Sequence, residues 1–191
     1  MSNRGLVVVV SGPSGVGKGT VCKELLKAHP EIVPSVSATT RKPRAGEVEG
    51  VNYFFVDDRK YDDMLANDEF LEHFEIYGNR YGTPKQFVLD RIGEGRDVLL
   101  ELDVQGALRV KELMPEAALI FLLPPDEKEL LSRLSGRNSE TEESLKRRYN
   151  AAKAELAQKD RYDYCVVNDD VCRCAQEVNH IIEDLKKEKR I

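Results

Sequence analysis

The feature that most constrains the fold of this chain is a short apolar run that leads directly into a glycine-rich turn. Residues Leu6 to Val10 are all aliphatic, which is typical of a strand buried on both faces of a parallel sheet. The next segment, Gly12 to Lys18, reads GPSGVGK and fits the pattern G-x-x-x-x-G-K, and a helix is predicted from Gly19 to Ala28. Glycines in such a loop let backbone N–H groups surround phosphate oxygens, while the helix N-terminus and the lysine add positive charge. The sequence therefore predicts a binding site for a nucleotide polyphosphate.

One position of this loop departs from the usual pattern. The residue after the lysine is ordinarily Ser or Thr, whose hydroxyl binds Mg²⁺, but here it is Gly19, followed by Thr20. We expect either Thr20 or a water molecule to replace the missing hydroxyl at the metal.

Further apolar runs alternate with helical patterns along the rest of the chain. Strands are predicted at 97–102, 118–123 and 164–167. Helices are predicted at 84–93, 105–113, 126–134, 143–159 and 171–187. This alternation predicts an α/β fold of the P-loop NTPase type, with a parallel sheet flanked by helices.

The segment between the first helix and residue 87 differs in texture from the rest. Short strand-like pieces at 53–56 and 70–74 surround a polar stretch that contains Arg and Gly, which indicates a β-rich insertion. We therefore divide the 191 residues into a core and two inserted units. The core comprises 1–34, which contains the phosphate loop, together with 87–127 and 151–191; the β-rich insertion is 35–86 and a helical lid is 128–150.

Several classes of protein are disfavoured by the bulk properties of the sequence. The formal net charge of −5 argues against a nucleic-acid-binding protein, which usually carries a basic excess. No apolar run approaches the roughly 20 residues of a membrane span. The cysteines are poorly spaced for zinc and we expect reduced thiols; they are Cys22, Cys165, Cys172 and Cys174. We expect a cytoplasmic protein with no membrane or nucleic-acid partner and no obligate protein partner.

The loop from Ser35 to Glu47 places several hydroxyls beside two arginines, Arg41 and Arg44. Arginine can hold a phosphate group through two parallel hydrogen bonds, but a polar surface loop explains the same composition equally well. Glu47 and Glu72 add a second signal, because a carboxylate can accept the adjacent N1–H and N2–H₂ donors of guanine. Adenine offers no such pair on that edge, so the carboxylates favour guanine.

Taken together, these motifs resemble those of the guanylate kinases, and the resemblance covers nearly the whole chain in order. It begins with the phosphate loop and continues through the segments Ser37–Glu47, Gly50–Phe55, Glu69–Glu72, Gly78–Thr83, Glu101–Gly106, Arg133–Arg137 and Val167–Asp169. Two positions depart from the family pattern: Glu101 stands where Asp is frequent, and Asn138 stands where Gly is common.

The resemblance implies that the chain transfers the γ-phosphoryl group of ATP to GMP, and also to dGMP, with Mg²⁺ as the cofactor. The implied ATP-binding residues are Gly12, Pro13, Ser14, Gly15, Val16, Gly17, Lys18, Gly19, Thr20 and, near the adenine, Asn168. The implied GMP-binding residues are Ser37, Arg41, Arg44, Tyr53 and Tyr81 toward the phosphate, and Glu72, Thr83 and Asp103 around the guanine. Glu47 is also expected among the GMP-binding residues. The implied lid arginines are Arg133, Arg137 and Arg148.

A phosphate oxygen is already anionic at neutral pH, so we expect no general base, and catalysis then rests on positioning and on positive charge. The expected catalytic residues are Lys18, Arg41, Arg133, Arg137 and Arg148. Asp103 follows a predicted strand and can act either on Mg²⁺ through water or on guanine; the sequence does not decide between them. A kinase for another monophosphate or a small metabolite, and a non-catalytic interaction module related to guanylate kinases, are the alternatives.

Overall fold

The computed structural model describes residues 4–76, 78–135 and 142–189 of the chain. Its larger sheet has five parallel strands in the spatial order β2-β7-β1-β8-β9, which confirms the predicted parallel sheet. These strands are β1 (Val7–Ser11), β2 (Val33–Pro34), β7 (Val98–Glu101), β8 (Ala118–Leu123) and β9 (Tyr164–Val167). The helices outside the insertion are α1 (Lys18–Ala28), α3 (Lys85–Gly93), α4 (Val104–Leu113), α5 (Glu127–Ser135), α6 (Glu142–Leu156) and α7 (Val171–Lys189), with a 3-10 turn at Lys159–Arg161.

The core consists of two apolar layers, one on each face of this sheet. Side chains of a strand alternate between the two faces, and along β1 Val7 and Val9 enter one layer while Val8 and Val10 enter the other. The first layer lies under α3 and α4, and the second lies under α1 and α7. Both faces of β1 are thereby buried, as its aliphatic sequence predicts.

Parallel pairing brings the carboxyl ends of the central strands to one edge of the sheet. In register, Val10 of β1 lies beside Glu101 of β7, and Ser11 lies beside Phe121 of β8. The glycine-rich loop follows β1 at this edge, and Asp103 follows β7 there. Ligands of open α/β sheets bind outside the carboxyl ends of the strands, so the fold gathers the predicted site residues at the expected edge.

The insertion has its own four-stranded sheet, in the order β4-β3-β6-β5. Its elements are β3 (Ala38–Thr39), β4 (Phe54–Phe55), α2 (Asp58–Ala66), β5 (Phe70–Ile76) and β6 (Asn79–Pro84). A small core of its own stabilises it, built by Ala38, Tyr61, Met64 and Phe70. The sequence predicts the β character of this segment but not α2, β3 or β6.

The predicted elements of the core agree with the structure to within a few residues. The strands at 118–123 and 164–167 have the predicted bounds, whereas the helix predicted at 143–159 ends at Leu156. The short strand β2 was not predicted. None of the helices in the described ranges is both long and apolar enough to span a membrane.

Candidate functional site

The glycine-rich loop adopts a backbone that requires glycine at particular positions. Gly17, just before α1, has a φ of 96°, and a Cβ there would lie 2.7 Å from Asn168 Nδ2. Gly12 has a φ of 145°, and a Cβ there would lie 2.6 Å from Leu122 O. Both the positive φ and the close neighbours exclude a side chain. The first turn of α1 carries no acidic side chain, so its terminal N–H groups keep their partial positive charge for an anion.

The ammonium group of Lys18 lies within this loop. It donates hydrogen bonds to Gly12 O at 2.7 Å and to Pro13 O at 3.3 Å. Burial lowers the pKa of Lys18, while the carboxylates of Glu155 and Glu101 oppose that shift. The loop therefore presents a positive charge that is poorly solvated and partly balanced by carboxylates.

A cavity of about 410 Å³ and a larger one of about 770 Å³ meet at this edge of the sheet. We call the larger one the phosphate cavity. It is lined by Ser14, Gly15, Gly17, Lys18, Gly19, Thr20, Lys23, Glu101, Asp103, Arg133, Arg148 and Glu155. Six of the residues predicted to bind ATP phosphates and two of the predicted lid arginines thus lie around one space.

The two described lid arginines are fixed by backbone carbonyl groups. Arg133 donates to Val16 O and to Asn168 O, both at 3.1 Å, and Arg148 donates to Leu134 O at 3.0 Å. Arg133 therefore joins α5 to the phosphate loop and to the segment after β9. Arg137 lies outside the described residues.

Asn168 follows β9 and is 2% exposed. Its Nδ2 donates to Val16 O at 2.8 Å, which holds the glycine-rich loop. Its Oδ1 is the one buried side-chain nitrogen or oxygen atom in the described part of the chain without a hydrogen-bond partner. A buried acceptor of this kind is costly unless a donor reaches it, so this oxygen is a candidate acceptor for a ligand.

The smaller cavity, which we call the base cavity, contains a buried carboxylate. Glu72 is 4% exposed, and its Oε1 accepts a hydrogen bond from Thr83 Oγ1 at 2.6 Å. Burial raises the pKa of Glu72; the Thr83 hydrogen bond opposes the rise and the nearby Asp103 adds to it. A Cβ on Gly106 would lie 3.5 Å from Glu72 Oε2 and 3.3 Å from Asp103 Oδ1. The absence of a side chain at Gly106 thus lets the two carboxylates approach each other.

Asp103 lines both cavities. Its Oδ1 accepts from Gly106 N at 2.7 Å, which caps α4. Glu72, Thr83 and Asp103, which were predicted around one ligand, are therefore brought together, and Asp103 also borders the phosphate cavity. The geometry is compatible with both roles predicted for Asp103.

Three of the residues predicted to bind the GMP phosphate, Arg41, Tyr53 and Tyr81, form an arginine–tyrosine cluster in the insertion. The guanidinium of Arg41 lies 5.3 Å from the centre of the Tyr53 ring, and the Tyr53 and Tyr81 rings are 6.0 Å apart. Arg41 donates to Glu47 Oε1 at 2.7 Å, and this contact raises the pKa of Arg41. The Arg44 backbone N–H donates to Glu47 Oε2 at 2.7 Å.

The structure gives different roles to Glu47 and Glu72, the two carboxylates that the sequence analysis named together as favouring guanine. Both carboxylate oxygens of Glu47 accept hydrogen bonds from the loop that contains Arg41 and Arg44. Glu47 is not among the described residues that line the base cavity. Its contact with Arg41 is the main cause that lowers the pKa of Glu47. The Arg44 side chain is exposed and Ser37 is half-buried next to β3. These contacts indicate that Glu47 stabilises the conformation of the loop between Arg41 and Glu47.

Sequence reasoning missed two carboxylates of the phosphate cavity. Glu155, near the end of α6, accepts a hydrogen bond from Ser14 N at 2.9 Å although the two residues are 141 positions apart. Glu101 ends β7 beside Gly19. Only the departure from the family pattern marked Glu101, and no signal in the sequence marked Glu155.

Among the described residues, no group of three or more His, Cys, Asp or Glu side chains is arranged to hold a metal ion. A divalent ion here would take most of its ligands from nucleotide phosphates and water, as Mg²⁺ usually does.

Comparison with known proteins agrees with this geometry. The family model described as guanylate kinase matches residues 4–185. A guanylate kinase of Clostridioides difficile (strain 630) is 51% identical over 183 residues, which cover 96% of this chain and 89% of that protein. One from Caldanaerobacter subterraneus subsp. tengcongensis is 48% identical, covering 95% and 88%. The crystal structure of guanylate kinase from Anaplasma phagocytophilum matches with a TM-score of 0.74 at 34% identity, covering 96% of this chain and 87% of that one. The chain belongs to the guanylate kinase family.

Proposed function

We propose that this chain is an ATP-dependent guanylate kinase, which transfers the γ-phosphoryl group of ATP to GMP, and also to dGMP, and releases ADP and GDP. The observation that carries the choice of GMP is the buried pair of Glu72 and Thr83 beside Asp103. The base cavity that holds this pair adjoins the phosphate cavity through Asp103.

The nucleotide base would be selected by the hydrogen-bond donors that it offers to the carboxylate of Glu72. Thr83 uses Oε1 of Glu72, and the carboxylate keeps further lone pairs for the N1–H and N2–H₂ groups of guanine. Adenine, cytosine and uracil lack this pair of adjacent donors and would leave a buried carboxylate unsatisfied. Sites with buried polar groups discriminate strongly against ligands that leave them unpaired.

The GMP phosphate would be held by the arginine–tyrosine cluster and by the residues around it. Arg41 and Arg44 supply charge and bidentate geometry, while hydroxyl donors come from Tyr53, Tyr81 and Ser37. Glu47 acts on this phosphate indirectly, by holding Arg41 in place before the ligand arrives.

ATP would lie across the glycine-rich loop. The loop N–H groups and Lys18 would bind the β- and γ-phosphates, and Arg133 and Arg148, together with Arg137, would neutralise charge on the transferred group. The adenine N6–H₂ group would donate to Asn168 Oδ1, which lacks a partner in the described protein.

The reaction brings two polyanions together, so its barrier is lowered by positioning and by charge neutralisation rather than by a general base. Mg²⁺ fits this chemistry because Asp103 and the exposed Thr20 hydroxyl border the phosphate cavity beside Lys18, and it would supply charge neutralisation at the β- and γ-oxygens. Closure of the lid at 128–150 and of the insertion at 35–86 over the core would exclude water and prevent ATP hydrolysis.

A substrate panel tests the proposal. ADP release from ATP and Mg²⁺ is measured with GMP, dGMP, AMP, CMP and UMP, for the wild type and for Lys18→Ala and Glu72→Gln. We expect turnover with GMP and dGMP, and losses in both variants. Preference for another monophosphate would overturn the role of Glu72. Folded protein that phosphorylates none of them would favour a non-catalytic interaction module.

A further inference from the structure

The base cavity presents the aromatic ring of Phe74 to a ligand. Phe74 is 37% exposed although it lines this cavity, and Leu65, another exposed apolar side chain, lines it too. Phe70 also lines the cavity but is buried, because it packs in the small core of the insertion. Ligand cavities commonly have apolar and aromatic walls, with a few polar groups that orient the ligand. The Phe74 ring is therefore an apolar surface that a bound ligand would cover.

Strand pairing places this ring on the same face of the insertion sheet as the buried carboxylate of the cavity. β5 pairs with β6 so that Glu72 lies opposite Thr83. Two residues further along β5, Phe74 lies opposite Tyr81. Side chains two residues apart on a strand point to the same face and are about 7 Å apart. A base held at its edge by Glu72 would therefore lie next to the Phe74 ring.

The contact with Tyr81 fixes the orientation of the Phe74 ring. The two rings are stacked, with their centres 5.4 Å apart and their planes 13° from parallel. Tyr81 is itself held in place, because its backbone carbonyl accepts a hydrogen bond from the Tyr61 hydroxyl at 2.7 Å and its ring contacts Tyr53. Stacked aromatic pairs are favourable beyond the area that they bury. The Phe74 ring is therefore oriented before a ligand arrives.

We propose that Phe74 is a specificity-determining residue that stacks on the purine ring of the acceptor nucleotide, while Glu72 binds the edge of the same base. Stacking does not depend on the hydrogen-bonding pattern of a base, because every base has a π face. A purine gains more from it than a pyrimidine, since its larger ring covers more apolar area. Phe74 thus favours a purine over a pyrimidine, and Glu72 favours guanine over adenine. This inference rests on the proposed function, since it concerns the acceptor of that reaction.

A simpler role for Phe74 is to support Tyr81, which belongs to the arginine–tyrosine cluster. The two roles differ in the part of the ligand on which they act. Loss of a stacking surface weakens the binding of ligands that carry a base and leaves the binding of ribose 5-phosphate unchanged. Loss of a support for Tyr81 weakens the binding of every ligand that carries the phosphate, with or without a base.

Steady-state kinetics, with guanosine and ribose 5-phosphate as inhibitors that compete with GMP, separate the two roles. For Phe74→Ala we expect KM for GMP and the inhibition constant of guanosine to rise by roughly tenfold, as is typical of a lost base–aromatic stack. The inhibition constant of ribose 5-phosphate should be unchanged. The kcat should change little, because uniform binding of the base affects KM alone. Leu89→Ala is the matched control, since it removes an apolar side chain of similar exposure from α3 and should leave all of these values unchanged.

Two conservative variants separate stacking from apolar packing. Phe74→Tyr keeps a planar ring and should retain nearly all of the GMP affinity, whereas Phe74→Leu keeps the apolar bulk without a ring and should lose most of what Phe74→Ala loses. Unchanged KM for GMP in Phe74→Ala, full rescue by Phe74→Leu, or an equal loss of ribose 5-phosphate binding would each overturn the proposal. If the wild type does not prefer GMP in the monophosphate panel, the proposed function fails as well. A wild type that prefers GMP, with an unchanged KM in Phe74→Ala, refutes the stacking role alone.

Discussion

Replacement of Glu155 by glutamine should tighten the binding of ATP and ADP. The carboxylate of Glu155 lines the phosphate cavity and accepts a hydrogen bond from the backbone N–H of Ser14. A nucleotide polyphosphate entering this cavity brings several negative charges close to that carboxylate, so Glu155 competes with the ligand for the same positive surroundings. Glutamine keeps the size and the acceptor but removes the charge.

The size of the effect follows from the exposure of this contact. A hydrogen bond to a charged group contributes roughly 1.5–3 kcal/mol when it is well protected. The contact between Ser14 and Glu155 is exposed, and screening by solvent reduces such a contribution to about 1 kcal/mol. The expected gain in affinity is therefore about fivefold.

Isothermal titration calorimetry with ADP in EDTA measures this change without catalysis or metal. Glu143→Gln is the matched control, because it removes the same charge from the same helix about 18 Å from Glu155 along the axis. The gain should shrink at high salt, since exposed charges are screened. Equal or weaker ADP binding by Glu155→Gln would refute the competition argument and would mean that the contact instead supports the nucleotide-binding form of the loop.

Three further substitutions address the two base sites and the stability of the core. Thr83→Val removes a hydrogen bond that lowers the pKa of Glu72. We expect kcat/KM for GMP to fall by roughly tenfold, about 1.4 kcal/mol. Because Glu72 must be ionised to accept from guanine, the decrease of kcat/KM toward acid pH should also begin at a higher pH than in the wild type. Asn168→Leu should raise KM for ATP and reduce the preference for ATP over GTP, because the acceptor for adenine N6–H₂ is lost; initial rates with each donor measure it. Lys186→Met leaves the buried Asp97 without its ion-pair partner at 2.7 Å and should lower the free energy of unfolding in urea by about 1–2 kcal/mol, a reduced figure because Lys186 is partly exposed.

Two of these substitutions have a control variant within the chain, and each has an outcome that would contradict it. Thr83→Ser keeps the hydroxyl donor and should restore most activity, and an unshifted pH profile in Thr83→Val would show that the hydrogen bond does not tune Glu72. An unchanged ratio of ATP to GTP use in Asn168→Leu would remove Asn168 from the adenine site. Lys187→Met disrupts an exposed pair with Asp184 and should leave the free energy of unfolding nearly unchanged.

Local patterns made the central part of the fold predictable. β1, the glycine-rich loop and α1 follow one another along the chain, so composition and periodicity specify them without tertiary information. β2 escaped prediction because it has two residues, one of them Pro34, and β6 because it contains Gly82 and Pro84. α2 escaped because only Tyr61 and Met64 of its nine residues are buried, which leaves little periodic apolar signal.

Contacts between distant segments explain why the site was predicted only in part. The sequence names Glu47 and Glu72 together as carboxylates, but which one is buried and which one binds Arg41 depends on the pairing of β3, β5 and β6. The approach of Glu155 to the phosphate loop depends on how α6 packs against α5. Such pairings leave no trace in a single sequence, because nothing in the local pattern of either segment refers to the other.

Asp103 lies between the base cavity and the phosphate cavity, and this position would couple base recognition to phosphate binding. Glu72 belongs to the insertion and Asp103 to the core, yet both carboxylates lie against Gly106 at the start of α4. A guanine bound between them would contact both units at once, so its binding energy would favour the arrangement in which the insertion lies against the core. Asp103 also borders the phosphate cavity. If the acceptor base binds in the base cavity and the polyphosphate in the phosphate cavity, both substrates would be positioned relative to the turn between β7 and α4. The core, rather than the lid, would then set the distance between them.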